Sequence, residues 1–185
     1  MPDIPVTTDD VFKLVLKKTL RYEGFSAFSD NPADHGGATK WGVAQTTCTH
    51  FFPGTDVRNL TFDQAAHIYR VGYYDWIAPE VLSIRVSWWL FDVATNSGPH
   101  ESSKLFERAL GTNEAGEVPW VMDTLDALMQ YQAQPTWETS LMQRLAAVRK
   151  AHYEAIVAAD STQEVFLKGW LRRAADYATD LPAVT

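Results

Sequence analysis

Residues 12–43 read FKLVLKKTLRYEGFSAFSDNPADHGGATKWGV, an apolar helical stripe that runs into an acid and then into a glycine-rich loop. Phe12, Val15, Leu16 and Leu20 recur at helical spacing, and Thr8 with Asp9 and Asp10 in the first turn is a good helix start. At about 100° per residue, Glu23 falls roughly 20° from Phe12, back on the apolar stripe. Burial disfavours the charged form of a carboxyl and raises its pKa, and a carboxyl still protonated near neutral pH can act as a general acid. The other reading is a helix-terminal Glu turned into water.

The segment after Glu23 bears on that choice. Pro32, Gly36, Gly37 and Gly42 are punctuation that a helix does not tolerate, so residues 24–43 are expected to form an irregular loop or small hairpin. Folded over the end of the first helix, this segment would bring Asp30 or Asp34 near Glu23. Two carboxyl groups beside a cleft are the minimal equipment for glycoside hydrolysis. Turn formation is the alternative for both, since Asp-Asn-Pro and Asp-His-Gly are ordinary turn sequences. Trp41, inside the loop, either packs or offers its flat face to a sugar.

These residues carry a resemblance. YEGF at 22–25 followed by NPADHGGATKWGV at 31–43 resembles the signature of glycoside hydrolase family 108, the N-acetylmuramidases of phages and bacteria, usually written EGG and then PADxGGATxxGI. Tyr74, Asp75 and Trp76 resemble the family's YWD segment, and FDVATNSG at 91–98 resembles its FDxAVNSG helix end. ALG at 109–111 and FLKGWLRR at 166–173 resemble elements of the peptidoglycan-binding region that commonly comes next. The resemblance implies a mainly α, lysozyme-like fold with a small loop or hairpin lobe and a C-terminal helical extension. It implies Glu23 as proton donor, with Asp34 and Thr39 orienting or activating water or stabilising the transition state. It supports sugar contacts at Tyr74 and Asp75. The chain departs from the family at Gly24-Phe25, where a second glycine is usual, and at AGEVPW (115–120), where a DGxxGP turn is usual.

Composition fits this reading. The 185 residues suit one or two small domains, and 46% hydrophobic content with seven Trp can fill a core. Neither a secretory signal peptide nor a transmembrane helix is visible, so no stable membrane insertion is expected and export must come from elsewhere. Cys48 is the single cysteine and cannot form an internal disulfide. The formal net charge of −7 argues against nucleic acid, because phosphate binding relies on concentrated Lys and Arg. Peptidoglycan must then be held by short-range contacts. His35, His50, His67, His100 and His152 show no metal-ligand spacing, so neither a metal nor a cofactor is expected.

Further along, Thr61 to Gln64 resembles a capping box opening a second helix, with Phe62, Ala66, Tyr69, Tyr73 and Trp76 on one apolar face, closed by Pro79. A third helix should run from Ser83 to about Thr95, with Ile84, Trp88 and Phe91 toward the core. Trp88 and Trp89 point about 100° apart, so one can be core while the other faces a cleft or the second half of the chain. Asp92 and Asn96, one turn apart, are expected to point together to the cleft floor, or Asn96 caps its helix. Helices near 101–110, 119–131, 137–159 and 162–179 come next. The best boundary is at 96–99, giving a catalytic region over 1–97 and a helical, peptidoglycan-binding-like region over 98–185 packed on it.

The expected activity is hydrolysis of the β-1,4 bond between N-acetylmuramic acid and N-acetylglucosamine. The expected setting is a phage endolysin, a monomer made in the host cytoplasm that reaches the wall through a holin pore. A bacterial wall hydrolase or antibacterial effector, a lytic transglycosylase and a non-catalytic peptidoglycan-binding module are the alternatives.

Overall fold

The computed structural model describes residues 7–22, 28–30, 37–77 and 81–179, with side chains as far as 175 in the last helix. The fold is mainly α, with one small hairpin among the described residues. The chain forms two compact units, Met1–Trp76 and Ile77–Thr185.

In the first unit, α1 spans Thr8–Leu20 and buries Phe12, Val15, Leu16 and Leu20, as the apolar spacing requires. Its cap is Thr7, one residue earlier than expected. The Asp10 amide donates to the Thr7 hydroxyl and the Asp10 carboxylate accepts from the Thr7 amide, which satisfies two otherwise orphaned donors. Helix α1 ends at Leu20, and Glu23, expected on the buried stripe, lies outside the described residues.

The glycine-rich segment contains a two-stranded antiparallel hairpin, β1 (Thr39–Lys40) and β2 (Val43–Ala44), with Thr39 opposite Ala44 and Lys40 opposite Val43. Its two-residue turn is Trp41 (φ 57°) and Gly42 (φ 74°), both in the left-handed region that matches the twist of a tight hairpin. Ser29 extends the pairing, with reciprocal backbone bonds to Thr39 of 2.9 and 2.7 Å. Helix α2 (Gln45–Phe51) begins at once. Gln45 accepts from the Val57 amide at 2.8 Å and donates to the Thr55 carbonyl at 2.9 Å, closing the loop that leads to a short turn at Val57–Asn59.

The capping box expected at Thr61 is present and opens α3 (Phe62–Tyr69). The expected apolar face is displaced. Phe62 and Trp76 are exposed, whereas Ala65, Ile68, Tyr69, Tyr74 and Ile77 are buried. Beyond Tyr69 the displacement follows from a π-helical turn at Arg70–Tyr74, followed by a 3₁₀ turn at Asp75–Ile77. The wider turn moves the buried side from Tyr69 to Tyr74, five residues on, where an uninterrupted α-helix would select Tyr73.

In the second unit, α4 (Ile84–Ser97) starts at a Ser83 cap and is buried at every position from Val86 to Ala94, Trp88 and Trp89 included. A helix buried all round must be enclosed by neighbours. It packs on α5 (Pro99–Leu110) and α7 (Trp137–Ala159), and α7 packs in turn on α8 (Glu164–Thr179). Gly98, at φ 88°, breaks the chain direction before Pro99, which tolerates the first helical position. Helix α6 (Met122–Gln132) lies between α5 and α7 in sequence and contacts both. The buried Glu107 carboxylate on α5 accepts from the Gly116 amide at 2.8 Å and the Thr124 hydroxyl at 3.1 Å, fixing the intervening loop. By contacts, α4 belongs with the C-terminal helices, so the compact units part about twenty residues before the boundary read at 97/98.

Candidate active site

Glu23 and Asp34, the acid and its expected partner, lie outside the described residues. Thr39 sits on β1, its backbone bonded to Ser29 and paired with Ala44. Its side chain is partly exposed, and its hydroxyl makes no hydrogen bond among the described residues. A hydroxyl with unused capacity on a backbone fixed by the hairpin can orient water or a sugar oxygen.

Trp41 shares the hairpin with Thr39. A bulky side chain at positive φ is uncommon, and persists where its surroundings hold it. Three contacts do so: the indole N–H donates to the Leu60 carbonyl at 3.2 Å, Phe62 meets the ring edge-on at 5.3 Å, and the Tyr69 hydroxyl donates to the Trp41 carbonyl at 2.9 Å. Asp30, the rival carboxylate, is tied to Arg58 at 3.2 Å, with the guanidinium 5.2 Å from the Phe28 ring.

Tyr74, expected to meet sugar, is instead fully buried, its ring 5.1 Å from Phe12. The π-helical turn directs it inward. Arg70 joins this group to Asp75: its guanidinium lies 5.2 Å from the Phe12 ring and 5.4 Å from Tyr74, and it donates to Asp9 at 2.7 Å and to Asp75. Burial alone would lower the Arg70 pKa, but the bonds to Asp9 and Asp75 outweigh it and hold the charge more firmly than usual.

Asp92, expected on the cleft floor beside Asn96, is instead fully buried, accepting from Arg149 on α7 at 2.7 Å and from Arg173 on α8 at 2.6 Å. Its burial is stable only because two guanidiniums surround it. Asn96 is exposed at the end of α4, and its amide donates to the Asp92 backbone carbonyl at 2.6 Å.

The sequence reading missed a groove of about 700 Å³ between α1 and α3, floored by Phe12, Leu16, Leu20 and Ala66 and rimmed by Lys13, Lys17 and His67. The signal present was Lys13 and Lys17, one turn apart beside the apolar stripe.

Residues 16–98 match the family profile described as Glycosyl hydrolase 108, and residues 102–175 match the one described as Predicted Peptidoglycan domain. Residues 16–98 are therefore a glycosyl hydrolase 108 region, followed by a peptidoglycan-domain region over 102–175. The chain is a glycoside hydrolase, and its substrate class is peptidoglycan. Among solved structures it is similar in fold to SagA of Brucella abortus, with a TM-score of 0.68 and 22% identity over 94% of this chain and 98% of that one. Nothing matches among curated proteins. Among the described residues, no helix is long and apolar enough to cross a membrane.

Proposed function

We propose that the chain is an N-acetylmuramidase that hydrolyses the β-1,4 bond between N-acetylmuramic acid and N-acetylglucosamine. The match of residues 16–98 to the glycosyl hydrolase 108 profile carries this reading, because that span takes in Glu23, Asp34 and Thr39 together. Glu23 gives its proton to the glycosidic oxygen as the bond to the anomeric carbon breaks. Asp34 takes a proton from the attacking water, and the Thr39 hydroxyl helps to place that water. Trp41, Asp75 and Asn96, all with exposed surface, remain the proposed sugar contacts. The biological reading is a phage endolysin that acts as a monomer on the wall after release through a holin.

Chemical analysis of the products from purified sacculi tests the reaction. Reducing N-acetylmuramic acid ends are expected. Reducing N-acetylglucosamine ends would place the cut at the other glycosidic bond, and 1,6-anhydro ends would make the enzyme a lytic transglycosylase. Loss of at least about 100-fold in Glu23→Gln, with the melting temperature held, is the expected mark of a missing acid.

A further inference from the structure

The FLKGWLRR stretch at 166–173 takes no part in the proposed reaction, yet its side chains are unusually arranged. Phe166 and Trp170 lie one turn apart on α8 with ring centroids 5.8 Å apart and planes 26° apart. Trp170 stacks in turn on Tyr153 of α7 at 5.2 Å and 29°. Tyr153 is buried and accepts from Arg149 at 2.7 Å, while Arg173, one turn beyond Gly169, is held by Asp92. The inner end of this stack is therefore fixed by buried charge. Its outer end is open: Phe166 is 53% exposed and the adjacent Val165 is 78% exposed.

Gly169 lies between the two rings in sequence. A glycine inside an exposed helix weakens it relative to alanine. Nothing lies within 4 Å of where its β-carbon would stand, so no packing in the protein requires glycine here. The helix surface next to Trp170 is therefore open at this position.

We propose that Phe166 and Trp170, with the open helix surface at Gly169, form a sugar platform that holds the glycan strand of peptidoglycan, separate from the catalytic residues. The ligand class is a β-1,4-linked chain of N-acetylated amino sugars. Such a ring presents a face of C–H groups that rests on an aromatic face, while its N-acetyl group needs clearance to one side. A preformed aromatic pair suits this task because little side-chain freedom remains to be lost on binding. The proposal rests on the reading of the chain as a peptidoglycan hydrolase, and the match of residues 102–175 to a profile described as a predicted peptidoglycan domain supports peptidoglycan as the ligand.

The test uses the full chain, with purified sacculi for co-sedimentation and a soluble tetramer of β-1,4-linked N-acetylglucosamine for tryptophan-fluorescence titration. Phe166→Ala should weaken both by about fivefold or more. Gly169→Ala should raise the melting temperature by roughly 2–4 °C and still weaken both, a combination that a purely structural glycine does not produce. Unchanged binding in both variants overturns the platform, as does a wild-type chain that gives no response to the tetramer. Release of sugar ends by the wild-type chain is measured separately. A chain that hydrolyses sacculi but binds equally well with Phe166 removed refutes the platform alone; one that neither binds nor hydrolyses refutes the reading beneath it.

Discussion

The Arg149 side chain donates to Asp92 across a 2.7 Å bond, and neither side chain has any exposed surface. Asp92 lies in the segment matched to the hydrolase profile, Arg149 in the segment matched to the peptidoglycan domain. Arg173 completes the cluster from α8. Removing the shared anion strands two guanidiniums, and breaking a buried ion pair in this way costs about 3–5 kcal/mol. Asp92→Asn is therefore expected to lower the melting temperature by roughly 6–20 °C. Arg149→Met, which leaves Asp92 paired with Arg173, should cost less. A drop below about 2 °C for Asp92→Asn, read by thermal unfolding, would show the cluster to be energetically idle.

Thr39→Ala offers a clean view of chemistry, because the hydroxyl it removes bonds to nothing among the described residues. Stability should change by less than about 0.5 kcal/mol. Turnover on sacculi should fall more than binding, since the proposed work of the hydroxyl is on water or developing charge. Asp30→Asn is the control. It loosens an exposed ion pair with Arg58, worth about 0–1 kcal/mol, and should leave turnover intact. An essential Asp30 with a dispensable Asp34 would reverse the proposed choice of second carboxylate.

His152 should make the fold acid-sensitive. Burial chiefly, with the nearby Arg108 and Arg149 adding to it, lowers its pKa from the ordinary 6.5, although Glu101 acts in the opposite direction. A histidine whose pKa is lower folded than unfolded stabilises the protein above its unfolded value, and that contribution is lost as pH falls through the folded value. Melting temperature should thus decline from about pH 6.5 downward. His152→Gln should flatten that limb relative to wild type, measured by thermal scans at pH 7 and pH 5. Parallel declines in the two proteins would assign the acid sensitivity to the carboxylates instead.

Local signals are legible in the sequence because they depend on neighbours in the chain. The capping box at Thr61 and Gln64, the hairpin in the glycine-rich segment and the helix at 137–159 all rest on residues within a turn or two of each other. The π-helical turn at Arg70–Tyr74 carries no such signal, and its one extra residue is enough to exchange Tyr73 for Tyr74 in the core. Asp92 shows the second kind of limit. Its position beside Asn96 suggests a cleft, but its partners stand 57 and 81 residues away, and charge pairing at that separation has no periodicity to reveal it.

A fragment ending at Gly98 would keep the whole span matched to the hydrolase profile and lose α5, α7 and α8. Helix α4 would then expose part of a surface buried from Val86 to Ala94, with Trp88, Trp89 and Phe91 among it, and Asp92 would lose both guanidiniums. Apolar surface of that extent favours association, and an acid without its cations no longer has a reason to stay inside. The intact chain is therefore expected to unfold in a single cooperative transition by calorimetry, and the 1–98 fragment to be poorly soluble and nearly inactive. A soluble 1–98 fragment with full activity on sacculi would show that the hydrolase segment folds without the helices that enclose α4, and that the Asp92 cluster contributes nothing to it.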